Sequence, residues 1–377
     1  MAITEILQNY PEFEQIYIEK EKTYLPIFPE ELDHLRETAI TIEQPYLSHP
    51  SEDYSLRLRE VTLPDGTKEY SAGLKSRAEI TDNGRERLEV ETLIDAKLYD
   101  YYAQAGLPTV RKLRTDFEQD IVIDFYHDGV AIEAESSKSW SDFTDQFGDR
   151  FVDITGDRIA DNEWRAHLEY RRENDGQEAL VPLPELEAES IALDIMRRYT
   201  SGERRIIIQI GGRSGSGKST IVRELVAKLA EYGLSSDTTS TDDYHRGKTW
   251  LDNHKGGEWT EWDHPLVYNT SALAEDLKRF STGEVIPKLN IDFSVCEPQV
   301  TGAIGNVDVL IVEGIYAGCE DIKDLAHLYY EMTTPLATCI GRRLLRDLRE
   351  RPQFANPVVS LKYMLEQAEP AYRAQTK

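Results

Sequence analysis

Two periodicities divide the chain. From Tyr17 to Glu135 polar residues recur at every second position, the spacing of a strand. The charges fall at i and i+2, which share one face of a strand. Glu19 and Glu21 pair this way, as do Arg57 and Arg59, Lys75 and Arg77, and Lys112 and Arg114. Arg87, Glu89 and Glu91 form a triplet, and Glu133 and Glu135 come after the apolar run Ile121–Tyr126. Turn signals at Pro64-Asp65-Gly66, Asp82-Asn83-Gly84 and His127-Asp128-Gly129 separate the runs. An antiparallel sheet with solvated faces is one reading. Solvated charges should scatter over both faces, however, and one-sided pairs on successive strands point to a closed barrel holding both signs inside.

The second half alternates apolar runs with helical spacing. Arg205–Ile210 and Val307–Glu313 read as buried parallel strands. Ser219–Tyr232 has helical periodicity, with Gly233 placed as its C-cap. Between the halves lies an acidic stretch with Pro182 and Pro184, then a helical pattern from Glu185 to about Tyr199. The expected organisation is a barrel domain with helices (α+β) over 1–180, a linker and helix over 181–200, and an α/β domain with a parallel sheet over 201–377.

At 377 residues, 40% hydrophobic and 30% charged, the chain can bury two cores. Its net charge of −26 excludes broad binding to nucleic acid or anionic membranes. Any phosphate site must then be a local basic enclosure. Cys296, Cys319 and Cys339 form no metal-spaced pair and read as reduced thiols. With an acidic N-terminus and no apolar run of membrane length, the expected location is the cytoplasm.

The chemistry starts between the first parallel strand and its helix. Gly212-Arg213-Ser214-Gly215-Ser216-Gly217-Lys218-Ser219 reads G-x-x-x-x-G-K-[ST], with Thr220 next. Its glycines let backbone N–H groups turn onto phosphate oxygens, and the helix N-terminus adds partial positive charge. Lys218 is expected at the β- and γ-phosphates of ATP, and Ser219 at Mg²⁺. Asp242 should lie just past the second parallel strand, where a carboxylate can take a proton from an attacking hydroxyl. Glu313 ends a buried strand, a place for a carboxylate on Mg²⁺ or its waters. Arg342, Arg346 and Arg349 share a helix face and could clamp a transferring phosphoryl group from a lid.

Residues 10–175 resemble the CYTH, or triphosphate tunnel metalloenzyme, family. Its E-x-E-x-K strand is seen as Glu19-Lys-Glu21-Lys-Thr23, its Q-x-Y-L element as Gln44-Pro-Tyr46-Leu47, and its V-T-G-D turn as Ile154-Thr-Gly-Asp157, then Asn162. The resemblance implies that Glu19, Glu21, Glu133 and Glu135 hold metal or water. Arg57, Arg59, Lys75, Arg87, Lys112 and Arg114 would bind the phosphates of a nucleotide triphosphate or an inorganic tri- or polyphosphate. Hydrolysis would use Mg²⁺ or Mn²⁺. Thr23 stands where the family has a lysine that helps catalysis.

Residues 204–372 resemble the uridine kinase/phosphoribulokinase family. Gly212–Thr220, Asp242-Asp243-Tyr244-His245, Glu261–Pro265, Glu313-Gly314 and the lid pattern from Arg343 to Arg351 carry the resemblance. It implies that Asp242 is the general base, that Asp263 and His264 contact substrate, and that Arg346 serves the lid. The family's P-x-Y-D-F grip on a nucleoside differs here: Asp292-Phe293 comes two residues late, after Ile291. Three readings are open: an ATP-dependent phosphotransferase fused to a triphosphate hydrolase; a kinase tuned by a sensing tunnel; or a tunnel hydrolase with a domain that only binds nucleotide.

Overall fold

In the computed structural model, which describes residues 17–82, 84–104, 106–118, 120–135, 150–350 and 356–375, the charged strands close on themselves. The strands are β1 (Ile18–Pro26), β2 (Ile40–Pro45), β3 (Tyr54–Thr62), β4 (Lys68–Ser76), β5 (Glu79–Thr81), β6 (Gly84–Leu93), β7 (Thr109–Glu118), β8 (Ile121–Tyr126), β9 (Gly129–Glu135) and β10 (Phe151–Asp153). They form one sheet in the order β10-β1-β9-β8-β7-β2-β3-β4-β6-β5. A further β1–β6 pairing closes eight of them into an antiparallel barrel, with β5 and β10 as short flanking strands. Register sets opposite charges face to face: Glu19 opposes Arg87, Lys75 opposes Glu89, and Arg114 opposes Asp124.

The barrel is polar inside and apolar outside. Ile121, Ile123 and Phe125 of β8 pack with Ile132 of β9 and with Leu32 and Leu35 of the 3₁₀ segment Pro29–Thr38. The helix Leu336–Glu350 packs against β3 and β4. A Cβ on its Gly341 would sit 2.6 Å from ring atoms of the buried Tyr54. Chain segment Pro335–Lys362 accordingly groups with Met1–Pro182 as one compact unit. Arg342, Arg346 and Arg349 lie on that helix; Arg351, like Asn83, lies outside the described residues.

The second unit comprises Leu183–Thr334 and Tyr363–Lys377. Its strands β11 (Ile206–Gly211), β12 (Ser236–Ser240), β15 (Val309–Gly314) and β16 (Leu328–Glu331) form a parallel sheet in the order β12-β15-β11-β16. A separate hairpin joins β13 (Ile286–Asp292) to β14 (Glu297–Ile304). Parallel strands are covered on both faces and so run apolar throughout. Ile206, Ile208 and Ile210 meet Leu225 of the helix Lys218–Glu231 and Ile191 and Ile195 of the helix Ala188–Thr200. Ile207, Leu310 and Val312 meet Leu273, Leu277 and Phe280 of the helix Thr270–Ser281 on the other side. The helix of the join thus belongs to the parallel-sheet core.

Candidate functional site

The glycine-rich loop leaves the end of β11 and enters the helix at Lys218, with Gly217 as its N-cap at φ 93°. That left-handed backbone favours glycine. The Lys218 ammonium donates to the carbonyls of Gly212 and Arg213, both at 2.8 Å, so the lysine folds back over its own loop. Gly212 has φ 146°, and a Cβ there would meet Met332 Cβ at 2.8 Å and Ser216 Oγ at 2.9 Å. The Ser216 hydroxyl is buried and has no hydrogen-bond partner among the described residues.

The ends of β11, β12 and β15 lie together because the strands are parallel and in register, with Gly211 opposite Gly314. The Ser219 hydroxyl donates to Glu313 Oε1 at 2.9 Å. Burial raises the Glu313 carboxyl above its ordinary value, against the Ser219 hydrogen bond and the Lys218 charge. A carboxylate and a hydroxyl in contact are hard oxygen donors of the kind Mg²⁺ takes, so these residues fit the ion. Gly314 has φ 148°, and a Cβ there would lie 1.9 Å from Thr241 Oγ1, so the β12 and β15 ends can approach only with glycine at this position.

Asp242 opens a 3₁₀ turn just beyond β12, its N–H donating to Ser240 Oγ at 3.1 Å. Its neighbour Asp243 is different in kind: Oδ2 accepts from the Ser240 N–H at 2.8 Å, and burial pushes its carboxyl up to about 6. Asp263 is buried; its N–H donates to Tyr363 Oη at 2.9 Å and its carbonyl accepts from Tyr316 Oη at 2.5 Å. Burial pushes the Tyr268 phenol well above its ordinary value, and the charges of Asp242 and Asp263 push it further. His264 is exposed and its Nδ1 accepts from the Leu266 N–H, a local turn cap. Asp292 is likewise engaged in its own turn, with Ser294. Arg346 pairs with Asp347 on the helix of the barrel unit.

Three contributors from this unit escape sequence reasoning: Tyr363, which bonds Asp263, Glu369, which pairs with Arg213 at 2.8 Å, and Glu331, which stands in register with Gly211. Tyr363 comes more than ten residues after the helix that carries the lid pattern, and Glu331 ends the edge strand β16. The one cue for Glu369 is a carboxylate among the apolar positions of a helical stretch.

Inside the barrel the expected phosphate and metal residues are joined to one another. Lys75 contacts Glu19 at 2.9 Å and Glu89 at 3.0 Å. Arg87 pairs with Glu19 and, at 3.3 Å, with Glu21. Arg57 contacts Glu89 at 3.0 Å and Arg59 contacts Glu91 at 3.2 Å. Lys112 and Arg114 both reach Asp124 at 2.6 Å, and Arg114 also pairs with Glu133. Glu135 is exposed at the end of β9. Thr23 Oγ1 donates to Glu21 Oε1 at 3.2 Å. Among the described residues, no three His, Cys, Asp or Glu side chains converge as a ligand set, so the barrel glutamates do not together fit a metal ion. A cavity of about 30 Å³ lies beside Arg57, Lys75 and Arg87. A larger cleft of about 510 Å³ on this unit is lined by Arg77, Arg85, Arg158 and Trp164 among others, and by none of the phosphate or metal residues expected from the sequence.

Glu21 gives a pH test. Burial and the nearby Glu19 and Glu133 push its carboxyl up to about 7. The folded chain therefore holds this proton more tightly than the unfolded chain, and stability falls as pH rises from the ordinary carboxylate range through about 7. Glu21→Gln is expected to stabilise the barrel by on the order of 2 kcal/mol at about pH 8, and the gain should vanish near pH 4. Thermal unfolding across that range reads it. A gain independent of pH would contradict the assignment.

Residues 207–374 match the phosphoribulokinase / uridine kinase family. The uridine kinase of Ureaplasma parvum serovar 3 is 32% identical over 157 residues, which span 41% of this chain and 75% of that protein. The uridine kinase of Staphylococcus haemolyticus is 31% identical over 156 residues, spanning 41% of this chain and 74% of that protein. No helix among the described residues is long and apolar enough to cross a membrane.

Proposed function

We propose, from the premise that the chain belongs to the phosphoribulokinase/uridine kinase family, that its parallel-sheet unit transfers the γ-phosphoryl group of ATP to a hydroxyl of a small acceptor. The observation that carries this reading is the Ser219–Glu313 contact, which joins the glycine loop to the end of β15 beside Asp242. Loop N–H groups and Lys218 bind the triphosphate and stabilise charge that gathers as the phosphoryl group moves. Ser219 and Glu313 would hold Mg²⁺, which supplies charge neutralisation between phosphates. Asp242 accepts the acceptor's hydroxyl proton at a carboxylate oxygen while oxygen attacks phosphorus, and ADP leaves. Asp263, fixed through its backbone by Tyr316 and Tyr363, orients the acceptor.

The base role has a direct test. Asp242→Asn is expected to lower kcat by about 10²–10⁴-fold while leaving the KM for ATP within about two-fold. Nucleosides head the acceptor panel because the relatives are uridine kinases. Unchanged kcat would remove Asp242 from the mechanism.

A second reading concerns the barrel: it binds a polyphosphate with Arg57, Arg59, Lys75, Arg87, Lys112 and Arg114. Its support is the enclosure of these cations in a chain of charge −26. Because the carboxylates already neutralise them, a polyphosphate must displace Glu19 and Glu89 from Lys75 and Arg57. Calorimetric titration with inorganic tripolyphosphate, with phosphate release measured in Mg²⁺ and Mn²⁺, tests it. Absence of heat in the intact chain would end this reading.

A further inference from the structure

Arg213, the second residue of the glycine loop, is held from two sides. Its carbonyl accepts from the Lys218 ammonium at 2.8 Å. Its guanidinium reaches across to Glu369, Nε to Oε2 at 2.8 Å and Nη2 to Oε1 at 3.0 Å. The Glu369 side chain is 1% exposed and takes a third bond from Arg373 Nε at 2.7 Å. The Arg213 guanidinium also lies over the Tyr372 ring, 4.6 Å from its centroid. Tyr372 in turn donates to the Glu331 carboxylate, at the β16 end that stands in register with Gly211.

A buried carboxylate is tolerated only with charged partners, and a two-pronged guanidinium bond fixes direction as well as distance. The chain approaching Glu369 is also unusual. Met364–Ala368 forms a π-helical turn, which spends one extra residue and so rotates the next helix, Glu369–Gln375, about its axis. Met364, Leu365 and Ala368 remain buried across it, and Glu369 is brought to the loop.

We propose that Glu369 is a positioning residue for nucleotide binding. It touches neither the nucleotide nor the acceptor. By gripping Arg213 it fixes the loop backbone whose carbonyl holds Lys218, so the ammonium stays set for the triphosphate. This rests on reading the loop as the ATP site.

The test is a double-mutant cycle on the full chain, with ATP·Mg²⁺ affinity by calorimetry, steady-state kinetics and thermal unfolding. Glu369→Gln keeps the side chain's shape and removes its charge. It is expected to raise the Kd and KM for ATP about ten-fold. Arg213→Ala should weaken ATP to a similar degree, and the double variant should be no weaker than either single one, because both remove one contact. Glu369→Asp should restore part of the affinity. Independent losses that multiply, or a lower melting temperature at unchanged ATP affinity, would overturn the proposal. Wild-type protein that binds no ATP would overturn the reading of the loop itself, a result distinct from normal ATP binding with an uncoupled cycle.

Discussion

Lys218→Ala is expected to reduce ATP-dependent phosphoryl transfer by about 10²–10³-fold or more, because it removes a loop cation aimed at developing negative charge. Its effect on folding should be small. The ammonium is half-buried, and its bonds at 2.8 Å to the carbonyls of Gly212 and Arg213 go to neutral acceptors of its own loop. ADP formation in the presence of acceptor, measured beside a melting curve, separates the two effects. Loss of turnover at an unchanged melting temperature is the expected pattern. Turnover that survives the substitution would mean that phosphoryl transfer does not pass through this loop.

The largest stability effect is expected in the barrel, at a residue without a proposed role in binding. Asp124 is fully buried, accepting from Lys112 at 2.6 Å and from Arg114 at 2.7 and 2.6 Å. Asp124→Ala leaves two cations in the interior with one shared counter-ion fewer. Breaking a buried pair from one side costs about 3–5 kcal/mol, against an ordinary total stability of about 5–15 kcal/mol. Urea unfolding monitored by barrel tyrosine fluorescence should show a midpoint shifted strongly downward, with ATP binding by the other unit retained. A shift below about 1 kcal/mol would mean that water or neighbouring glutamates compensate the cations.

Asp124 also marks the limit of what sequence alone conveys. Charges at i and i+2 announce strands with one polar face, and their repetition on successive strands points to a charged interior. Ile121–Tyr126 reads as an apolar run, however, and a lone carboxylate in it gains meaning only from Lys112 and Arg114 on the neighbouring strand. The closure itself depends on β1 pairing with both β6 and β9, contacts across scores of residues that no local period encodes. The glycine loop is the opposite case. Its eight residues lie together in sequence and in space, so the loop and its proposed chemistry can be read without the fold. Glu369, Tyr363 and Glu331 join the same unit from beyond residue 330 and have no such local signature.

The helix Leu336–Glu350 shows how one sequence pattern serves two readings. Its arginines suggest a phosphate clamp. Its other side carries Leu336, Ile340 and Leu344, buried at i, i+4 and i+8, and the helix groups with the barrel unit. The spacing is visible in the sequence, but an apolar stripe does not name the surface that covers it.

The central claim is phosphoryl transfer from ATP to a carbon-bound hydroxyl, and one measurement tests it most directly. The full chain is incubated with ATP carrying ¹⁸O in its γ-phosphoryl group, with Mg²⁺ and a nucleoside panel, and the products are read by mass spectrometry. The account predicts an acceptor monophosphate carrying the three labelled oxygens, formed in step with ADP and lost in Lys218→Ala. Label found only in inorganic phosphate, at a rate indifferent to Lys218→Ala, would contradict it.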